Sequence, residues 1–135
     1  MEDILVSIIT VCYNSEKTIY QTMDSVLKQT YSNIEYIIID GASTDGTLAI
    51  IKEFGQRFGA RMRYVSEPDH GIYDAMNKGI SMAGGDIIGI INSDDYYEPD
   101  AVEKVIGAYS RGDCAVFYGE MRTWTDEKAK SPTKR

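Results

Sequence analysis

The sequence predicts an α/β domain, a mostly parallel sheet with helices packed on it. Three observations carry that reading. Apolar, β-branched runs alternate with stretches of helical spacing, the pattern of successive βαβ units. The run Ile87–Ile91 is apolar throughout, as a strand buried on both faces must be. Conspicuous polar clusters directly follow three of the strand ends.

Taken in order, Ile4–Val11 is the first strand, followed by the polar turn Cys12-Tyr13-Asn14-Ser15. Glu16–Lys28 has helical spacing, with Ile19, Met23, Val26 and Leu27 on one face and Asn14 or Ser15 as the expected cap. Ile34–Ile39 is the second strand, and Leu48, Ile51, Phe54 and Phe58 mark the second helix. Arg61–Val65 is a weaker third strand. Ile72, Met76, Ile80 and Ala83 are the expected inward face of a third helix, with Gly84-Gly85 as its stop. Ile87–Ile91 is the fourth strand. Pro99 opens a fourth helix that carries Val102, Val105, Ile106 and Tyr109 inward, and Ala115–Tyr118 is a fifth strand. From Thr123 the chain is polar and charged. The expected organisation is a core over residues 1–122 and a polar tail over 123–135.

Composition narrows the function. The 135 residues are 43% hydrophobic and 26% charged, enough for one globular domain with a core. No apolar run reaches the length of a membrane span, and the acidic start Met1-Glu2-Asp3 is unlike a signal peptide. Cys12 and Cys114 fall in or beside strands and fit no zinc spacing, so they read as reduced thiols of a cytoplasmic protein. A net charge of -7 argues against nucleic acid and anionic lipid as partners. It leaves nucleotides open, because a metal can supply the positive charge.

The polar clusters are Tyr13-Asn14, Asp40 and Ser93-Asp94-Asp95. In a parallel sheet such strand ends meet on one edge, where open α/β sheets bind ligands. Each cluster alone reads equally well as a helix cap or turn; the three together favour a site. Adjacent carboxylates suit a hard divalent cation that can hold a phosphate beside them. Neither G-x-G-x-x-G nor a P-loop pattern is present, which removes the main support for dinucleotide or triphosphate binding.

Four stretches carry a resemblance: Ser7-Ile-Ile-Thr-Val-Cys-Tyr-Asn-Ser, Asp40-Gly-Ala-Ser-Thr-Asp-Gly-Thr, Ser66-Glu-Pro-Asp-His-Gly-Ile-Tyr-Asp-Ala-Met-Asn-Lys-Gly-Ile and Gly85-Asp-Ile-Ile-Gly-Ile-Ile-Asn-Ser-Asp-Asp. In this order they resemble a family 2 glycosyltransferase, over about residues 5–120. The resemblance implies a Rossmann-like sheet of the GT-A nucleotide-diphospho-sugar transferase type, here its amino-terminal, donor-binding part. It implies a nucleotide-diphosphate sugar, usually UDP-linked, Mg or Mn, an inverting transfer, a saccharide or lipid-linked acceptor, and a place in polysaccharide biosynthesis. It places Thr10 and Tyr13 at the start of the nucleotide pocket, Asp40 on the nucleoside, and Ser93 and Asp94 near the ribose and metal. Asp95 is implied as the best metal ligand. Asn92 and Gly41 stand where many members have Asp.

Two readings remain for Asp74 and Lys78: contacts to the base or diphosphate, or the exposed side of a helix. His70 reads as a surface loop residue, and Trp124 as one of several scattered aromatics. Tyr96 and Tyr97 lie near the carboxylates. The family's general base lies beyond the last strand read here, so the expectation is a truncated chain whose catalytic base falls after residue 135. An edge left open by the missing half makes a homodimer a further expectation. Rival readings are a sugar-phosphate nucleotidyltransferase, which calls for a basic Gly-rich loop where Tyr13-Asn14-Ser15-Glu16 stands, and a noncatalytic nucleotide-binding or interaction domain.

Overall fold

A computed structural model describes residues 4–110 and 116–118 of the chain. Among these, β1 (Val6–Cys12), β2 (Ile34–Asp40), β3 (Met62–Ser66), β4 (Ile87–Ile90) and β5 (Val116–Tyr118) form one sheet. Its order is β3-β2-β1-β4-β5, and every pairing is parallel. Helices α1 (Ile19–Leu27), α2 (Thr47–Phe58), α3 (Ile72–Met82) and α4 (Ala101–Ser110) alternate with the strands. This is the parallel α/β architecture that the apolar runs predict. No helix among the described residues is long and apolar enough to cross a membrane. Cys114, Trp124 and the boundary expected at residues 122 and 123 lie outside the described residues.

β1 is buried at all seven positions. Alternate side chains of a strand point to opposite faces. Val6, Ile8 and Cys12 accordingly enter one apolar cluster with Ile19, Met23, Ile51, Phe54 and Val102 from α1, α2 and α4. Ile9 and Val11 enter a second cluster with Ile37, Ile39, Ala75 and Ile90, under α3. A central strand covered on both sides cannot alternate apolar with polar, which is why its sequence reads as a continuous run.

The start of α1 differs from expectation. The helix begins at Ile19 with Thr18 at its cap and no side-chain cap bond. Ser15 serves it with a backbone carbonyl, which accepts from the N–H groups of Thr18 and Ile19. The side chains expected to cap are used elsewhere. Asn14 Oδ1 accepts from Thr44 N–H at 2.8 Å, and Ser15 Oγ lies 2.8 Å from Ser93 Oγ. These bonds tie the loop after β1 to the loops after β2 and β4.

The inward face of α3 also differs. Ile72 and Ile80, expected inside, are 48% and 40% exposed, while Ala75 and Gly79 are buried. Small residues let the helix lie close on the sheet: a Cβ at Gly79 would come 2.5 Å from Ile9 Cγ2. Nor is Gly84-Gly85 a left-handed stop, since neither glycine has positive φ. A Cβ at Gly85 would meet the Leu5 carbonyl at 2.7 Å and Ser7 N at 2.8 Å, so the glycine serves a close passage against β1. Beside it, Glu35 accepts from Ser7 Oγ, Gly84 N–H and Arg63. Burial alone raises the Glu35 carboxyl, but these bonds outweigh it and hold it below the usual glutamate range.

Replacing a helical glycine by alanine normally gains about 1 kcal/mol of helix propensity. At Gly79 the contact with the stiff, buried Ile9 outweighs that gain. Gly79→Ala is expected to lower stability by about 1–3 kcal/mol in urea unfolding. A raised urea midpoint would show that α3 has room to spare.

Candidate functional site

The sheet order reverses at β1, with β2 on one side and β4 on the other. The chain leaving β1 and the chain leaving β4 both turn onto the face covered by α1 and α4, and a crevice lies at the carboxyl ends of the two strands. A cleft of about 930 Å³ occupies that place. It is lined by residues 11–18 at the end of β1 and in the loop after it, Asn92, Ser93 and Asp94 after β4, and Asp45, Asp69 and Ile72 from the neighbouring loops and α3. Ile72 is exposed because it forms part of this wall instead of the core.

Three of the residues singled out from sequence meet here. Tyr13 is 60% exposed with its ring on the cleft. Ser93 is held by Ser15 across the opening, and Asp94 is exposed at the rim.

Others are placed differently. Thr10 is fully buried, its hydroxyl 2.7 Å from Tyr36 Oη, so it belongs to the core beneath the cleft. Asp40 is also fully buried, and both its oxygens are engaged. Oδ1 accepts from Ser43 Oγ and the Cys12 thiol; Oδ2 accepts from Ser43 N–H at 2.9 Å and Ser66 Oγ at 2.8 Å. It therefore fastens together the carboxyl ends of β1, β2 and β3. Burial, reinforced by Asp40, pushes the Cys12 thiol well up from its ordinary value, which keeps it protonated and inert.

Asp95 is absent from the cleft wall. Its N–H donates to the Asn92 carbonyl and its own carbonyl accepts from Thr22 Oγ1, which draws this residue toward α1. Asp94, one position earlier, is the carboxylate of the pair that reaches the opening. Asp74 and Lys78 lie off the cleft as well. Lys78 pairs with Glu67 at 3.0 Å and with Asp74 at 3.8 Å, and the bond to Glu67 holds its ammonium above the usual range. Asp74 also accepts from His70 N–H, and the His70 side chain is 94% exposed. Tyr97 is buried in the core and Tyr96 lies outside the wall.

The lining also holds charges that the strand-end argument missed: Glu16, Lys17, Asp45 and Asp69. Asp45 accepts from Thr47 N–H, Thr47 Oγ1 and Glu16 N–H, while Glu16 accepts from Gly46 N–H. These bonds prevail over desolvation and hold the Asp45 carboxyl below its usual value. A sequence signal was present for two of the four, since Asp45 and Asp69 sit within the stretches that carry the family resemblance.

The donor set suits a hard divalent cation of the Mg or Mn kind. Asp94 offers a carboxylate, and Asn92 Oδ1 is a buried oxygen with no hydrogen-bond partner among the described residues. No group of three or more His, Cys, Asp or Glu side chains converges on one point among the described residues. A cation here would rest on one carboxylate, one amide oxygen, water and the ligand's own phosphates, the sparse coordination that Mg commonly takes.

Residues 7–134 match the Glycosyl transferase family 2 family. Over 100 residues the chain is 45% identical to a chondroitin synthase of Pasteurella multocida, covering 73% of this chain and 10% of that one. Its fold is similar to S. aureus TarS 1-349 in complex with UDP-GlcNAc, with a TM-score of 0.72 and 25% identity, over 78% of this chain and 31% of that one. It is similar also to the mannosyltransferase PcManGT of Pyrobaculum calidifontis in complex with GDP-Man and Mn2+, with a TM-score of 0.68 and 25% identity, over 75% and 31%. The chain thus spans about a tenth of that synthase and less than a third of either solved relative.

Removing the buried Asp40 carboxylate takes the acceptor from several donors at once. Asp40→Ala is expected to cost about 2–4 kcal/mol in urea unfolding, the range for breaking a buried charge-assisted network. A ligand-facing carboxylate would show the opposite, little or no loss of stability.

Proposed function

The chain belongs to glycosyl transferase family 2, and from that premise we propose that its cleft receives the nucleotide-diphosphate sugar of a metal-assisted transfer. The observation that carries the proposal is the meeting of Tyr13, Ser93 and Asp94 at the reversal in strand order. The nucleotide is taken to be a uridine diphosphate. Support comes from two relatives of this fold, one bound to UDP-GlcNAc and the other to GDP-Man with Mn2+.

The charges of the cleft argue for the cation. Glu16, Asp45, Asp69 and Asp94 stand against Lys17 alone. A diphosphate entering such a site meets like charge at close range, which is costly unless a cation lies between. In this reading Asp94 and the Asn92 oxygen hold Mg or Mn, and the Tyr13 ring stacks on the base. A bound Mg or Mn offsets the charge that builds on the departing diphosphate.

The transfer breaks the bond from the anomeric carbon to the diphosphate, and the electron pair leaves with the diphosphate. The oxygen of an acceptor hydroxyl, from a saccharide or lipid-linked acceptor, forms the new bond from the opposite face with inversion. Its proton passes to a carboxylate base. No residue of the cleft is assigned that role. Asp94 holds the donor, and Ser93, fixed by Ser15, keeps the turn in register. The buried free thiol of Cys12 fits a reducing, cytoplasmic setting.

Binding is the direct test. UDP with Mn is expected to raise the melting temperature, and UDP with a chelator to leave it unchanged. Asp94→Asn is expected to weaken UDP–Mn binding by about tenfold or more without lowering stability. Equal UDP affinity with Mn and with chelator would remove the metal from the reading.

A further inference from the structure

The loop after β3 brings a carboxylate to a place that the β2 loop leaves empty. Gly41 follows directly on β2, and the point where its Cβ would stand is 3.0 Å from Asp69 Oδ2 and 3.5 Å from Tyr13 Cδ1. The Asp69 carboxylate and the Tyr13 ring therefore flank the same small volume, and both line the cleft. Asp40, the other acid at this edge, has both oxygens engaged and is fully buried. Asp69 is half-buried and divides its two oxygens. Oδ1 accepts from Gly71 N–H at 3.1 Å, whereas Oδ2 is turned toward Gly41 and Tyr13.

We propose that Asp69 is the specificity-determining residue for the nucleotide base, accepting through Oδ2 the single imide N–H of a uracil stacked on Tyr13. The proposal rests on the reading of the cleft as a nucleotide site and names what that site selects. A carboxylate oxygen only accepts, so it pairs with an N–H and repels a ring nitrogen lone pair. Uracil offers one N–H between two carbonyls. Cytosine offers a bare ring nitrogen at the same position, and guanine offers two adjacent donors that call for both oxygens. With Oδ1 held by Gly71, one oxygen remains, and uracil is the base it fits.

Gly41 is what makes room for this arrangement. A side chain at position 41 would contend with Asp69 for the same space, so the two positions are alternative sources of one carboxylate. Gly41 lies outside the left-handed region, so its backbone accepts a side chain.

Calorimetric titration of UDP, CDP and GDP into the chain with Mn tests this, using Asp69→Asn and the pair Asp69→Ala with Gly41→Asp. The parent is expected to bind UDP at least about tenfold tighter than CDP. In Asp69→Asn the amide oxygen stays on Gly71 N–H and the amide N–H faces the base. UDP is then expected to weaken by about tenfold and CDP to gain relative to it. Asp69→Ala should lose the UDP preference, and adding Gly41→Asp should restore it in part. Unchanged UDP and CDP affinities in Asp69→Asn, with a parent that binds UDP, would overturn the role of Asp69 and leave the nucleotide site standing. A parent that binds none of the three would overturn both.

Discussion

The structure depends on one constraint, the burial of β1 on both faces while it hydrogen-bonds on both edges. All seven of its residues are buried, with β2 on one side and β4 on the other. Helices must then cover both faces, and the chain must cross over between parallel strands. The strand order reverses at this strand, and the loops that leave β1 and β4 meet beside its carboxyl end, where Ser15 Oγ lies 2.8 Å from Ser93 Oγ.

A second layer of interactions turns the cleft into a fixed site. Asp40 gathers donors from β1, the β2 loop and β3, and a buried carboxylate is tolerated only because those donors satisfy it. Gly41 N–H bonds to the Cys12 carbonyl and Glu67 N–H to the Asp40 carbonyl, so three loops share one frame. Ser15 and Ser93 close the frame across the opening. Tyr13, Asp69 and Asp94 are presented to the cleft from this frame. On the proposed reading, the surplus of carboxylates around them would couple binding of an anion to binding of a cation.

The strands and helices were legible in the sequence because buried parallel strands are continuous apolar runs, and the family resemblance added the fold type. The inward face of α3 was legible only in part. Met76 and Ala83 pack against the cluster under α3 as their spacing predicts, but Ile72 and Ile80 do not, and the buried contact of the helix with the sheet is made by Ala75 and Gly79, whose small size carries no hydrophobic signal. The roles of the acids were hidden for another reason. Asp40 looks like a ligand beside a strand end, yet its carboxylate also accepts from Cys12 and Ser66, 28 and 26 positions away in sequence. Asp69 was passed over because its place beside Gly41 exists only once β3 lies next to β2.

The most direct measurement is a crystal structure of the chain with UDP and Mn, with anomalous scattering used to locate the metal. The account predicts the nucleotide between residues 11–18 and 92–94, its base on Tyr13, and the anomalous peak beside Asp94 and the Asn92 side-chain oxygen. A nucleotide outside that crevice, or a peak held by Asp95 alone, would contradict it.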